Sequence, residues 1–577
     1  MSIISILPEP LINKIAAGEV IERPVSIVRE IMDNSIDAGA KKISVEVLHG
    51  GKKLIKVSDD GAGMGRDDAS LCFERHSTSK IKSEDDLFNL TSLGFRGEAL
   101  ASIAAVSKVV LLTSTLDSRA GTKIEIGAGQ KKHVSDAPPS PGTIIEVRDI
   151  FYNTPARRKF LKTVPTELAH IIGTVTQKAL AYPEISFSLK HNESEVMATL
   201  PAKSIKERFI QLYTEEMYNE FFEIKKQGRG IELYGFFSAG GFTRSTRSLQ
   251  FIFVNRRAIK NTTVNHAVYS AYRDLIPKDK HPAYFMFLDI DPGKVDVNVH
   301  PAKREIRFES PEEIHKLVFS AASEALRPGR DRIPGYIQPS RPAGFQKTQA
   351  GEDELSGGTV RETLESAFQS SGDFQTDFFT IKTAPALHRY FHIGEAFVAE
   401  VTNDGIKIID RHAAHERVLY EKFLKKTSLE VKNLFLPIRI ELPAKEFNII
   451  KDYKNLFYDF GLDVEEFGAN DVIVRALPEG LNKADLKGLF LDIASGIIEE
   501  ETAGIRGESK EQRLLHSIAA RLACHKSVRG KESLNDEELS QLLSDLEKAE
   551  MPEKCPHGRP TRIFLSLDDL RKMFKRK

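Results

Sequence analysis

Apolar and polar residues alternate over Ile43-Ser44-Val45-Glu46-Val47 and again over Leu54-Ile55-Lys56-Val57. This two-residue period is that of strands with one buried face. Gly50-Gly51 lies between them and predicts a hairpin turn. Upstream, Pro24 can open a helix at its first position and Gly39 can close it. Further strands are predicted at 108–113, 143–148, 250–254 and 284–290, and Val295, Val297 and Val299 alternate again ahead of His300-Pro301. In the second half a strand at 405–409 runs into a helix from about Ala413, and the remainder is helix-rich. No internal repeat is evident.

Residues 331 to about 384 interrupt the pattern. Pro334, Gly335, Pro339, Pro342, Gly344, Gly351, Gly357, Gly358 and Gly372 accumulate there among Ser and Gln, with few aliphatic side chains to bury. This composition predicts a flexible linker between two folded halves, with a root-mean-square reach of roughly 40 Å. The length of 577 residues fits roughly three or four domains. Lys plus Arg equals Asp plus Glu at 82 each, so any basic surface must be local. No apolar run approaches a membrane span, and the first residues lack a secretion pattern. Three cysteines, Cys72, Cys524 and Cys555, are too few for a disulfide scaffold and fit a reducing cytosol.

The chemistry concentrates in a few words. Glu30 and Asn34 are four apart, so a helix puts them on one face. A carboxylate there can steer a water, and an amide oxygen can hold Mg2+. Asp59-Asp60-Gly61-Ala62-Gly63 follows a predicted strand. It reads either as a tight turn or as a backbone that lets a ligand close, with a carboxylate to accept from an exocyclic amine. Gly94-Phe95-Arg96-Gly97 opens a helix and can present N–H groups to phosphate, or cap the helix at a hinge. The spacing is that of neither a P-loop nor a dinucleotide fingerprint. His76-Ser77-Thr78-Ser79-Lys80 reads equally as further phosphate contacts or as a capped loop.

Together these three words resemble the nucleotide motifs of the GHKL ATPases. Asn13-Lys14-Ile15-Ala16-Ala17-Gly18-Glu19-Val20, Gly94 through Leu100, and Phe151-Tyr152-Asn153-Thr154-Pro155-Ala156-Arg157-Arg158-Lys159-Phe160-Leu161-Lys162 resemble the MutL mismatch-repair family within that group. The resemblance implies an α+β multidomain chain. A GHKL ATPase α/β sandwich is expected at 1–205, a ribosomal-protein-like α/β transducer domain at 206–330, the linker at 331–384, and an α/β C-terminal dimerisation and endonuclease domain at 385–577. It implies ATP and Mg2+ as cofactors and Glu30 as the base that orients water. Asn34 would ligate Mg2+, while Asp59, Gly63 and Thr143 would lie at the adenine. Gly94, Phe95, Arg96 and Gly97 would form the lid, Thr78, Ser79 and Lys80 would add phosphate contacts, and Lys303 would reach the γ-phosphate from the second domain. Asp33 stands where relatives often carry Glu.

In the second half, Asp410 ends a predicted strand, and His412 and Glu416 are four apart on the helix that follows. Imidazole and carboxylate at that spacing suit Zn2+ or Mn2+, or a salt-bridged helix start. Ala523-Cys524-His525-Lys526 and Cys555-Pro556-His557-Gly558-Arg559-Pro560 resemble the endonuclease domain of the MutL proteins that nick DNA. That resemblance implies ligands Asp410, His412, Glu416, Cys524, Cys555 and His557, with Asp410 and Glu416 catalytic and Zn2+ and/or Mn2+ bound. His415 and His525 read as bystanders. Lys432-Asn433-Leu434-Phe435-Leu436-Pro437 sits where relatives place a clamp-binding peptide, with Lys432 in place of its glutamine.

Arg157-Arg158-Lys159, Arg256-Arg257 and Lys303-Arg304 are local basic clusters, read as phosphate contacts or as solvated loop ends. No zinc finger or helix-turn-helix word occurs, so DNA binding is expected with weak sequence preference. The expected protein is a cytoplasmic, nucleoid-associated homodimer joined through its C-terminal domain. Its expected partners are DNA, MutS, a sliding clamp and a helicase. Two alternatives stand beside it: an ATP-gated matchmaker with only a structural zinc, and a chaperone or topoisomerase relative.

Overall fold

The computed structural model describes residues 18, 20–81, 92–94, 97–127, 130–273, 275–276, 280–296, 306–326, 390–394, 396–425, 430–468, 470–481, 486–502, 509–527 and 535–573. The linker at 331–384 lies outside these, as do Phe95, Arg96, Val297, Val299 and Lys303. Two compact units are formed, one from residues 1–332 and 412–561, the other from 333–411 and 562–577.

The first sheet has eight strands: β1 (Lys42–Leu48), β2 (Leu54–Asp59), β3 (Lys108–Ser114), β4 (Gly121–Gly127), β5 (Gln130–Ala137), β6 (Gly142–Arg148), β7 (Ser186–His191) and β8 (Ser194–Thr199). Their order is β5-β4-β3-β6-β2-β1-β7-β8. The alternation read in β1 and β2 becomes an antiparallel hairpin with Val45 opposite Val57, and β1 pairs β7 in parallel. Helix α1 (Pro24–Asp37) starts with Pro24 in its first turn and ends before Gly39 at φ +76°, as the sequence predicts. It buries Val25, Ile27, Val28, Ile31 and Met32 against β2 and α2 (Val164–Ala181). Each such side chain contributes roughly 1.5–3 kcal/mol. Glu30, Asp33, Asn34 and Asp37 fall on the less buried side of the same helix.

The second sheet holds β9 (Phe221–Gly228), β10 (Ile231–Ser238), β11 (Gln250–Val254), β12 (Arg257–Ile259) and β13 (Tyr284–Ile290), in the order β12-β11-β13-β10-β9. Strands β11 and β13 run parallel, with Phe251 opposite Phe285 and Phe253 opposite Phe287. The two ring pairs stack at centroid distances of 5.0 and 4.7 Å, which makes this sheet a stiff platform.

In the C-terminal part, β14 (Tyr390–Ile393), β15 (Phe397–Thr402), β16 (Gly405–Asp410) and the strand Arg562–Ser566 form a four-stranded antiparallel sheet. Phe391, Ala399, Ile408 and Ile563 line up across it, one per strand. Ile393, Phe397 and Val401 point to the same side by the two-residue period. Phe391, Ile393, Phe397, Val401 and Ile563 are exposed, whereas Val398 and Ile409 on the other side are buried. A three-stranded sheet (Val431–Glu441, Asp471–Pro478, Asp463–Phe467) and the helices α3 (Arg411–Lys425), α4 (Leu486–Thr502) and α5 (Lys510–Lys526) surround another hydrophobic core, of aliphatic and phenylalanine side chains. No described helix is long and apolar enough to cross a membrane.

Candidate nucleotide site and metal centre

The first site is built on α1. Asn34 Oδ1 accepts from Lys80 Nζ at 2.8 Å, and the same ammonium donates to Asp37 Oδ2 at 2.6 Å. Asp37 also accepts from the backbone N–H groups of Leu93 at 2.8 Å and Gly94 at 3.1 Å. Sequence reading did not single out Asp37. Its position three residues beyond Asn34 and seven beyond Glu30 was the available signal, because those spacings share a helix face. A carboxylate in a last helical turn opposes the macrodipole. Here one ammonium and two N–H groups offset that cost. Asp33 is ion-paired with Lys178 of α2 and so is tied to the helix packing.

Asp59 ends β2 directly opposite Thr143 of β6. Its carboxylate accepts from Ser35 Oγ at 2.7 Å and from Gly61 N at 3.0 Å. Burial pushes this carboxyl above the usual range, only partly countered by those hydrogen bonds and by the backbone of Thr143. Thr143 Oγ1 lies 3.1 Å from Thr113 Oγ1. Gly63 has φ +66°, and a Cβ there would come within 1.9 Å of Ser114 O. The close approach of its own chain therefore demands glycine, a reason the motif alone did not reveal. Gly97 has φ +63°, a Cβ would meet Ser77 O at 2.5 Å, and its carbonyl accepts from His76 N at 3.1 Å. The His76–Lys80 word and the glycine loop are thus in contact, with Lys80 N donating to Thr78 Oγ1 at 3.2 Å and Ser79 exposed.

The Asn34 oxygen already takes a cationic partner, Lys80, so the donor set fits a cation at this place. With Mg2+ bound, Asn34 would hold it and Lys80 would be freed for phosphate.

The second site lies on α3, which begins where β16 ends at Asp410. Among the described residues, one trio of His, Cys and carboxylate donor atoms lies within 4.8 Å of one another: Glu416, Cys555 and His557. His557 Nδ1 is 3.4 Å from Glu416 Oε2, and His412 Nε2 is 3.2 Å from Glu416 Oε1. The Glu416 side chain is 0% exposed. Burial pushes its carboxyl up, but the hydrogen bonds from His412 and His557 outweigh this and hold it well below the usual range. Hydrogen bonding to Cys555 and then to Glu416 raises His557 to about 9. Glu416, Cys555 and His557 thus bring a carboxylate, a thiol and an imidazole together, the donor chemistry of a zinc-type ion.

Cys524 is not in this trio. With His412, Asp492, His525, Lys280 and Arg559 it lines a cavity of about 770 Å³. His525 Nε2 pairs with Asp492 Oδ2 at 3.1 Å, and burial pushes His415 down to about 4.

The basic clusters separate. Arg158 and Lys159 are exposed, but Arg256 pairs with Glu184 at 2.5 Å and Arg257 is largely buried. Lys303-Arg304 lies outside the described residues.

The sequence of residues 22–150 matches the model of the histidine kinase-, DNA gyrase B- and HSP90-like ATPases, which makes the first site that of a GHKL ATPase. Residues 209–327 match the C-terminal domain of DNA mismatch repair proteins, and residues 392–534 the MutL C-terminal dimerisation domain. The DNA mismatch repair protein MutL of Thermodesulfovibrio yellowstonii is 40% identical, with both chains covered in full. The MutL of Caldanaerobacter subterraneus subsp. tengcongensis is 37% identical, also over the whole of both chains, and that of Syntrophotalea carbinolica 36% over 99% of each. The chain belongs to the MutL family of DNA mismatch repair proteins.

Asp59→Asn should separate binding from stability. Raised in the folded state, the Asp59 pKa makes its charge a burden above that pKa and lets stability rise as pH falls through it. The amide variant should keep or slightly raise the melting temperature near neutral pH while weakening ATP binding at least about tenfold, from the lost charge-assisted bond. Calorimetry with and without ATP reads both.

Proposed function

We propose that this MutL is an ATP-gated dimeric clamp that couples mismatch recognition by MutS to strand removal, with a metal-dependent nicking site in its C-terminal domain. The observation that carries the nuclease part is the Glu416–Cys555–His557 trio, in which Glu416 and Cys555 are buried, with His412 beside it. Glu30 orients the attacking water from α1. Asp59 and Thr143 hold the adenine. Gly94, Phe95, Arg96 and Gly97, with Thr78, Ser79 and Lys80, hold the phosphates, and Lys303 reports the γ-phosphate. Mg2+ at Asn34 would supply charge neutralisation.

In the second site Asp410, His412, Glu416, Cys524, Cys555 and His557 would hold Zn2+ and/or Mn2+. Such ions supply an activated water and stabilise a leaving oxygen. Within the chain itself, Asp410 and Glu416 would bring negative charge to such an ion, and Cys555 and His557 would help hold it. The alternative of a structural zinc in a nuclease-inactive matchmaker draws support from the buried Cys555 thiol.

The exposed apolar side of the four-stranded sheet supports homodimer contact, since patches of this kind mark interaction sites. Arg158 and Lys159 support weakly sequence-specific contact with DNA. Phe435 is 98% and Leu436 74% exposed where the register of Val431–Glu441 shifts, which supports a sliding-clamp contact. A cytoplasmic, nucleoid-associated location and recruitment of a helicase follow from the same reading.

Three outcomes are expected. Glu30→Ala should bind ATP within about threefold of the native chain while kcat falls at least ~10²-fold. Retained turnover removes Glu30 as base. Asp410→Asn should abolish Mn2+-dependent nicking of supercoiled plasmid and leave ATPase intact. A native chain that never nicks under varied metals and partners leaves the matchmaker reading. Phe391→Asp should weaken the dimer at least roughly thirtyfold, the loss expected of a buried anchor. Sedimentation equilibrium measures that shift, and an unchanged dimer would move the interface elsewhere.

A further inference from the structure

Arg257 was read from sequence as half of a basic pair suited to DNA. The structure turns it inward. Its Nη1 donates to Leu93 O at 3.3 Å and its Nη2 to Ser92 O. Ser92 and Leu93 immediately precede Gly94, and Leu93 and Gly94 give their N–H groups to Asp37. The start of the glycine loop is therefore gripped on both sides. An α1 carboxylate takes its donors, and a second-sheet guanidinium takes its acceptors. Asp33 and Asp37 are the acidic groups nearest to Arg257 in electrostatic effect, with the Tyr182 hydroxyl close by.

The support beneath Arg257 is stiff. Strands β11 and β12 form a hairpin with Val254 opposite Arg257, so Asn255-Arg256 is a two-residue turn. Both turn residues have positive φ, +47° and +64°, as a type I′ hairpin requires. Arg256, a non-glycine residue there, is held by Glu184 and lies 5.5 Å over the Tyr182 ring. Asn255 is locked to Ile290 of β13 by two hydrogen bonds, at 2.8 and 2.9 Å. Phe251 and Phe253 of β11 itself stack on Phe285 and Phe287 of β13. A movement of the second sheet therefore moves Arg257, and Arg257 pulls on the carbonyls that lead into Gly94.

We propose that Arg257 is a positioning residue that couples the second domain to Ser92–Gly94 at the ATPase site, so that nucleotide binding there and displacement of the β11–β12 hairpin occur together. The coupling rests on the nucleotide reading given above. Arginine suits the role because its planar fork can satisfy two successive carbonyls while its charge faces two aspartates, which a single ammonium does less well.

The test uses the full chain with a non-hydrolysable ATP analogue. Hydrogen exchange is followed at residues 92–94 and 250–259, together with kcat and KM for ATP hydrolysis. In the native chain the analogue is expected to protect both segments. Arg257→Ala is expected to raise KM about tenfold, the scale of a lost charged hydrogen bond, with kcat changed less than about threefold. Protection of 250–259 by the analogue is expected to vanish. Arg257→Lys is expected to fall between, and Arg229→Ala, an exposed second-domain arginine paired with Glu313, to behave as native. If the alanine variant fails to fold, Arg257→Gln carries the same test. A KM within twofold of native, or hairpin protection that survives the substitution, overturns the coupling. A native chain without analogue protection at 92–94 overturns the nucleotide reading itself.

Discussion

The Asp37 carboxylate is where three separate stretches of the ATPase half meet. It closes the face of α1 that carries Glu30 and Asn34, anchors Lys80, and accepts from Leu93 and Gly94. Without it, Lys80 would lose its main counter-charge and the loop its fixed root. Three acceptor contacts at one partly buried group are worth more than the same contacts spread over solvent. The face of α1 that carries Glu30 and Asn34 is therefore tied to the rest of the half by Asp37, a residue the sequence reading gave no role. Asp59 works by the opposite device. Ser35, Gly61 and the Thr143 backbone donate to it, but no ammonium does, its burial outweighs them and disfavours its charge, and a ligand that supplied a further donor would relieve that cost.

Both candidate sites use one construction. In each, one helix carries two polar side chains four residues apart on one face. Glu30 and Asn34 share α1, His412 and Glu416 share α3, and Asp410 stands at the strand end before α3. The difference is in what lies opposite. The first site faces backbone N–H groups and an ammonium, which suits oxygen-rich phosphates. The second faces a thiol and an imidazole, which suits a borderline metal ion.

What was legible in the chain was local. Period-two alternation located β1 and β2, the strands predicted at 108–113, 143–148, 250–254 and 284–290 are present, and Pro24 with Gly39 bounded α1. The helical spacing of Glu30 with Asn34 and of His412 with Glu416 carried through to shared faces. What stayed hidden depended on pairing at long range. Nothing in Arg256-Arg257 tells that one arginine turns inward, because that follows from the I′ turn and the strand order. The reason for glycine at 63 lies in Ser114, fifty-one residues later. The apolar side of the four-stranded sheet needs Ile563 beside Ile408, a register no local pattern encodes. Cys555 and His557 meet Glu416 only through the fold.

The Glu416 arrangement bears on why such a cluster exists at all. Taking a carboxylate fully out of water costs several kcal/mol even after relaxation, and well-packed apolar residues of like volume are often no less stable. A fold shaped for stability alone has no use for a buried Glu between two histidines and beside a thiol. Here Glu416 accepts from His412 and His557, and hydrogen bonding to Cys555 and Glu416 raises His557 above its ordinary value. A dication held by this trio would balance the carboxylate and the thiolate together, and its binding would release protons.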